Sequence, residues 1–131
     1  MIKTIVTAAI LDEAGRVLLS KRKDNTRYGG LWEFPGGKVE ANETCEAAII
    51  RELAEELDID VQAACLAPLS FVTETTEAQE FVILLYVIRI WQGTPKALDV
   101  ADFCWVSPMK LRDYPMPPAN QHLVAMLRDV L

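Results

Sequence analysis

Apolar blocks separated by short polar stretches run along the 131-residue chain, and most of these blocks are rich in β-branched residues. The first block, residues 2–11, leads into the turn-forming run Asp12-Glu13-Ala14-Gly15 and then into a second apolar block. This order is typical of a strand, a turn and a strand. Further along, polar residues 73–79 separate two longer apolar blocks. Strands are predicted over residues 2–11, 17–19, 61–72, 80–91 and 103–106.

A helical period replaces this pattern between Thr44 and Leu57. Thr44 is a suitable N-cap, and Glu46 in the first turn suits the positive end of the helix dipole. A second helix is predicted to open at Pro117-Pro118-Ala119-Asn120 and to run to the end of the sequence. Its apolar stripe consists of Leu123, Met126, Leu127, Val130 and Leu131.

Residues 23–37 follow neither pattern. Residues 23–31 are polar and contain glycine, and residues 32–37 hold one proline and two glycines, which predicts irregular backbone. We interpret the region as a long functional loop. No repeat or linker interrupts the chain, so residues 1–131 are predicted to form one domain.

The charge balance narrows the classes of partner. Thirteen basic and nineteen acidic residues give a net charge of −6, the opposite of what binding to a nucleic-acid polymer requires. An acidic protein that binds an anionic small molecule needs a metal ion or a few well-placed cations. No nucleic-acid polymer and no membrane are therefore expected among the partners.

The cysteines and the apolar runs indicate the compartment. Cys45, Cys65 and Cys104 form no C-x-x-C pair, and their odd number leaves a thiol unpaired. No run is long enough to span a bilayer, and no export signal is recognisable. We expect a cytoplasmic protein.

The most informative residues are Glu52, Glu55 and Glu56 in the first predicted helix. At helical spacing they share an arc of roughly 100°. Like charges this close repel one another, and a hard cation such as Mg²⁺ or Mn²⁺ would turn that repulsion into binding. The alternative is a solvated acidic helix face.

Three neighbouring features favour the metal site. Gly36-Gly37 lies just upstream, where exposed backbone groups can complete a metal sphere or approach a phosphate. Arg51 can clamp a carboxylate by a bidentate contact. Glu43 adds a fourth acid at the junction of loop and helix.

In full, the segment runs from Gly37 through five residues to Glu43, then through seven residues to Arg51-Glu52-Leu53-Ala54-Glu55-Glu56-Leu57-Asp58-Ile59. It resembles the Nudix box, and six of its seven fixed positions match. Asp58 stands where the family usually has Gly, and we expect a slightly strained helix end rather than lost activity. The preceding Leu31-Trp32-Glu33-Phe34-Pro35-Gly36-Gly37-Lys38-Val39-Glu40 resembles the MutT-like branch of this family.

The resemblance covers essentially the whole chain and implies an α/β fold, an α/β/α sandwich with a mixed sheet. It implies hydrolysis of a nucleoside triphosphate to a monophosphate and pyrophosphate, with Mg²⁺ between carboxylates and phosphates. By position, Glu52, Glu55 and Arg51 are the catalytic candidates, with the general base left open between the glutamates. The candidate metal ligands are Gly36, Glu52, Glu55, Glu56 and Asp99. For Asp99 the alternatives are an exposed loop acid, or Asp102 in its place.

The resemblance also implies a substrate pocket. Its candidates are Arg22, Arg27, Glu33, Phe34, Pro35, Gly36, Gly37, Lys38 and Asn120. The side-chain amide of Asn120 carries a donor and an acceptor that could pair with a purine edge; the alternative is that Asn120 only caps the last helix.

These residues favour a nucleotide-pool sanitiser that hydrolyses 8-oxo-dGTP. A pyrophosphohydrolase that prefers CTP or modified dCTP is the alternative enzyme, and a nucleotide-binding module without turnover is the alternative from another class. Either a monomer or a homodimer is expected.

Overall fold

The computed structural model describes residues 1–131 and contains seven strands and two α-helices. The strands are β1 (Ile2–Ile10), β2 (Val17–Lys21), β3 (Trp32–Glu33), β4 (Gly36–Lys38), β5 (Ala67–Thr75), β6 (Glu80–Ile88) and β7 (Asp102–Val106). The helices are α1 (Cys45–Leu57) and α2 (Pro118–Arg128). Two short 3-10 helices, Ala63–Cys65 and Pro108–Asp113, complete the regular structure. No helix is long and apolar enough to cross a membrane.

The strands form two sheets. The larger has the order β4-β1-β6-β5, in which β1 and β6 are parallel and the other neighbours are antiparallel. The parallel register runs from Ile2 opposite Glu80 to Ile10 opposite Ile88. The smaller sheet, β3-β2-β7, is antiparallel throughout. The expected mixed sheet is confirmed.

Alternating residues of β1 place this strand between two hydrophobic cores. Val6, Ala8 and Ile10 pack in the core that includes the buried side chains of α1, whereas Ala9 packs in the core that includes those of α2. Because successive strand side chains point to opposite faces, the central strand contributes to both cores. A sheet between two helical layers is the expected α/β sandwich.

The prediction of a strand over residues 61–72 was wrong at both ends. The strand expected from residue 61 starts only at Ala67, because residues 63–65 close a 3-10 turn in which Cys65 N–H donates to Gln62 O (2.9 Å). It then continues to Thr75, since the antiparallel partner β6 extends the ladder to Thr75 opposite Glu80.

The backbone of residues 32–37 is also more regular than predicted, because β3 and β4 lie here. Strand β3 is two residues long and pairs with β2, and β4 is three residues long and pairs with β1. Pro35 between them lacks an N–H, but its carbonyl accepts a hydrogen bond from Ala8 N–H (2.9 Å). The last helix was predicted to reach residue 131 and ends at Arg128.

Both ends of α1 are fixed by specific contacts. The Thr44 hydroxyl accepts a hydrogen bond from Ala47 N–H (3.1 Å), as expected for an N-cap. Asp58 adopts the left-handed conformation (φ 59°, ψ 35°), and its N–H donates to Ala54 O (3.2 Å). Lys96 N–H donates to the free carbonyl of Leu57 (2.9 Å). The loop before β7 therefore completes the last turn of this helix.

We expect Asp58→Ala to lower the free energy of unfolding by about 1 kcal/mol relative to Asp58→Gly, because a Cβ disfavours the left-handed region and alanine has no polar side chain to offset this. Urea unfolding of both variants measures the difference. Lys96→Ala is the control, since the exposed Asp58–Lys96 pair (3.8 Å) contributes little. Equal stability of the alanine and glycine variants would contradict the assigned strain.

Candidate active site

Strand β4 brings two glycines between β1 and α1. Gly36 lies opposite Thr7 and Gly37 opposite Val6 in the β1–β4 ladder. A Cβ on Gly36 would overlap the carbonyl oxygen of Val6, and a Cβ on Gly37 would approach the carboxyl oxygens of Glu52 to 2.6 Å. Residue 36 therefore requires glycine for space, whereas a side chain at residue 37 would force the Glu52 carboxylate to move. The result is a bare stretch of backbone beside the acidic face of α1.

Two glutamates of α1 lie close together beside these glycines. Burial raises the pKa of Glu56 well above its usual range, and the adjoining Glu52 carboxyl group and the charge of Glu33 act in the same direction. A contact with the Gly36 backbone amide acts the other way but is outweighed. Partial burial and the neighbouring acids thus both disfavour the charged form of Glu56.

Arg51 neutralises the rest of the acidic face. Its Nε and Nη2 contact the two carboxylate oxygens of Glu43 at 2.7 and 3.0 Å, and its Nη1 contacts Glu52 (2.7 Å) and Glu55 (3.3 Å). Nη2 also donates to the Lys38 carbonyl (3.1 Å), which ties the helix to β4. Hydrogen bonding to Arg51 lowers the pKa of Glu43 to about 2. The bidentate contact predicted for Arg51 thus falls on Glu43.

This donor set fits a hard divalent cation. Oxygen ligands are available from Glu52, Glu56 and the Gly36 backbone, and a cation would offset the repulsion between two adjoining, partly buried carboxyl groups. The side chains as placed do not bring three acids together as a ready-made metal centre. Glu55 faces Arg51 instead.

Asp99 is near α1 through its backbone rather than its side chain. Its N–H donates to Glu56 O (3.2 Å), while its carboxylate forms an ion pair with Lys23 (2.5 Å). The competing candidate, Asp102, accepts a hydrogen bond from the N–H of Phe103 (2.8 Å). Neither carboxylate contacts the glutamates of α1, so a ligand role for Asp99 remains a prediction.

A pocket of about 420 Å³ borders the glycines on the α2 side of the large sheet. Of the predicted substrate residues, eight line it and Pro35 does not; the eight are Arg22, Arg27, Glu33, Phe34, Gly36, Gly37, Lys38 and Asn120. Gly37 lines the pocket and also lies against Glu52. The pocket and the acidic helix face therefore meet at β4.

The side chains of Arg22 and Glu33 form an ion pair inside this pocket. Arg22 Nη1 contacts both carboxylate oxygens of Glu33 at 2.9 Å, and its Nε donates to the Arg27 carbonyl (2.7 Å). Burial raises the pKa of Glu33, and the charge of Arg22 opposes that effect. Arg22 thus anchors the loop that follows β2 as well as lining the pocket.

Asn120 is the third residue of α2, and the N-cap is Pro117. The capping alternative for Asn120 was therefore wrong. Its buried side-chain oxygen accepts a hydrogen bond from Phe34 N–H (3.1 Å), and its NH₂ group makes no hydrogen bond within the protein. The pocket thus presents the amide of Asn120 to a ligand as a donor.

Sequence reasoning missed three polar residues of the pocket wall, Thr7, Tyr28 and Glu74. Tyr28 belongs to the loop after β2, where no motif marks it. Glu74 lies two residues after the buried Val72 on β5, and strand alternation alone places both on one face. That signal was hidden because Glu74 fell in the polar stretch, residues 73–79, that was expected to separate two strands.

The sequence model described as the NUDIX domain matches residues 1–127, and the chain belongs to this family. A Haemophilus influenzae protein named 8-oxo-dGTP diphosphatase is 34% identical over 123 residues, covering 94% of this chain and 89% of that protein. An Escherichia coli K12 protein named CTP pyrophosphohydrolase is 34% identical over 117 residues, covering 88% and 84%.

A solved structure of a Nudix protein also resembles this chain. The MutT Nudix hydrolase from Burkholderia pseudomallei superposes with a TM-score of 0.83 at 27% identity, covering 97% of this chain and 98% of that one. Family membership and these relatives make the chain a hydrolase that acts on phosphoric anhydride bonds, and the alternative of a binding module without turnover is set aside.

We expect Gly37→Ala to lower kcat/KM by about 100-fold, because the new Cβ displaces the Glu52 carboxylate from its position. The fold should persist, since the far end of a flexible side chain can move. Steady-state kinetics and urea unfolding measure the two effects. In a Glu52→Asp background, where the shorter side chain leaves room for the Cβ and keeps the carboxylate, the same change should cause a smaller loss, and an equal 100-fold loss there would contradict a role through Glu52.

Proposed function

We propose that the protein is a Mg²⁺-dependent nucleoside triphosphate pyrophosphohydrolase whose preferred substrate is 8-oxo-dGTP. The observation that carries the proposal is the junction at Gly37, where the acidic face of α1 meets a pocket that holds the Asn120 amide. The phosphates of a nucleotide would lie beside the glutamates, and its base would lie in the pocket. The relatives named 8-oxo-dGTP diphosphatase support this substrate.

In this proposal Glu52, Glu56 and the Gly36 carbonyl hold the cation. When bound, Mg²⁺, or Mn²⁺ in its place, offsets the charge of the triphosphate and activates the phosphoryl group for attack. Arg51 fixes the orientation of Glu52 and Glu55 through its hydrogen bonds to both. Asp99 would join the ligands only after leaving Lys23.

The hydrolysis needs one proton acceptor on this face. Water oxygen bonds to phosphorus, the anhydride bond breaks, and pyrophosphate leaves the nucleoside monophosphate. A glutamate carboxylate within hydrogen-bond reach takes the proton from the water. Glu52 and Glu55 are the two candidates.

The remaining pocket residues bind the substrate. Lys38 is the positively charged residue of β4, next to the glycines, and its side chain would contact a phosphate. Arg22, Arg27 and Glu33 would form one side of the nucleoside site, and the backbone of Phe34, Gly36 and Gly37 would form its floor. We also propose a cytoplasmic location, which suits the three free cysteine thiols.

A preference for CTP or modified dCTP is the second candidate, because the relative named CTP pyrophosphohydrolase is as similar as the 8-oxo-dGTP diphosphatase from Haemophilus influenzae. The Asn120 NH₂ group does not decide between them, since it can donate to an acceptor on either base. Both candidate functions use the same acidic face of α1 for hydrolysis. They differ only in which base the pocket binds.

We expect 8-oxo-dGTP to be hydrolysed with a kcat/KM at least about 100-fold above those for dGTP, dCTP and CTP, with pyrophosphate and monophosphate as products. Steady-state assays with and without Mg²⁺ measure this. Glu52→Gln, which keeps the shape and removes the charge, should abolish turnover. Preference for a pyrimidine nucleotide would favour the second candidate, and full activity of Glu52→Gln would overturn the assignment of the helix face.

We expect Asn120→Asp to lower the preference for 8-oxo-dGTP over dGTP by about tenfold, because it keeps an oxygen for Phe34 N–H and loses the NH₂ donor. Asn120→Ala should also lower stability by about 1–3 kcal/mol, since it leaves the buried Phe34 N–H without an acceptor. Nucleotide kinetics and urea unfolding separate the two effects. An unchanged preference in Asn120→Asp would show that the base does not contact this amide.

A further inference from the structure

Glu74 lies on β5, at the opposite edge of the large sheet from the β4 glycines. Three strand spacings separate the two edges, about 14 Å, and the pocket is lined by residues from both. A carboxylate repels phosphate, so the end of the pocket near Glu74 suits the part of a nucleotide that carries no charge. This part is the base.

The carboxylate of Glu74 has unused acceptor capacity. It forms no ion pair with any lysine or arginine, and its one hydrogen bond is accepted at 3.4 Å from the Tyr28 hydroxyl. The other acid in the pocket, Glu33, is occupied on both oxygens by Arg22. Glu74 is therefore the acid in the pocket whose carboxylate has no basic partner and is free to accept a hydrogen bond from a ligand.

Tyr28 holds Glu74 loosely from the loop after β2. Its backbone is in the left-handed region (φ 60°), which is uncommon for an aromatic residue. The Arg27 guanidinium lies 4.8 Å from its ring centre and donates to its hydroxyl (3.2 Å). Because the Tyr28 hydroxyl already accepts from Arg27, it can turn its proton away from Glu74 without losing every partner.

From these contacts we propose that Glu74 is a specificity-determining residue that accepts a hydrogen bond from an amino group of the substrate base. The proposal rests on the nucleotide pyrophosphohydrolase function proposed above. Asn120 NH₂ donates from α2 and Glu74 accepts from β5, so the pocket offers a donor and an anionic acceptor to one ligand. Bases with an exocyclic amine, guanine and cytosine derivatives among them, satisfy the carboxylate, whereas an oxo group in that place repels it.

The test compares nucleotides that differ in the amino group. Values of kcat/KM with Mg²⁺ are measured for dGTP against dITP and for dCTP against dUTP, with the wild-type protein and with Glu74→Gln. We expect the wild-type protein to prefer the amino member of at least one pair by about tenfold or more, as for a hydrogen bond to a charged group. Glu74→Gln should bring that ratio to within about threefold, because an amide can either donate or accept.

Two further variants separate direct from indirect effects. Glu77→Gln removes the same charge from the exposed turn between β5 and β6 and should leave the ratio unchanged. Tyr28→Phe should keep the preference if Glu74 contacts the base. An unchanged ratio in Glu74→Gln, no amino preference in the wild-type protein, or a loss in Tyr28→Phe equal to that in Glu74→Gln would each overturn the proposal. Absence of turnover with every nucleotide would overturn the proposed function and this assignment with it.

Discussion

The close approach of β4 to both β1 and α1 is the constraint on which the site depends. Any side chain at residue 36 would overlap the Val6 carbonyl, and one at residue 37 would displace the Glu52 carboxylate. With glycine at both positions, backbone alone separates the glutamates of α1 from the pocket on the α2 side of the sheet. A substrate in that pocket can therefore reach the acidic helix face directly. The pairing of a three-residue strand thus couples the two halves of the site.

The acidic residues of α1 repel one another, and this repulsion lowers the stability of the folded protein. The Glu56 carboxyl group is partly buried beside that of Glu52, and both the burial and the neighbouring carboxyl group raise the pKa of Glu56. Arg51 offsets the repulsion at the exposed side by binding Glu43, Glu52 and Glu55, and its contact with the Lys38 carbonyl holds β4 in place. Local strain of this kind persists where function requires it. One arginine thus stabilises the helix face and orients its acids.

Sequence predicted the features that depend on local spacing. The bounds of α1, its Thr44 cap and the left-handed Asp58 all follow from short-range rules and agree with the structure. The strands β3 and β4 could not be predicted, because they are only two and three residues long, flank Pro35, and in the case of β4 contain two glycines and pair with the distant β1. The helical spacing of Glu52, Glu55 and Glu56 likewise predicted that these acids share one face of α1. The pocket wall at Tyr28 and Glu74 was not predicted, since β5 and the loop after β2 meet only in the folded chain.

The pairing of Asn120 with Phe34 limits how the pocket can read a base. Because the side-chain oxygen of Asn120 is committed to Phe34 N–H, this residue offers a ligand only hydrogen-bond donors. Arg22 and Glu33 satisfy each other, so they discriminate between bases only if that pair opens. The acceptor that complements Asn120 must then come from elsewhere in the pocket, and Glu74 is the acid there without an ion pair. If the proposed nucleotide binds here, its base is selected by the polar groups that the fold leaves unpaired.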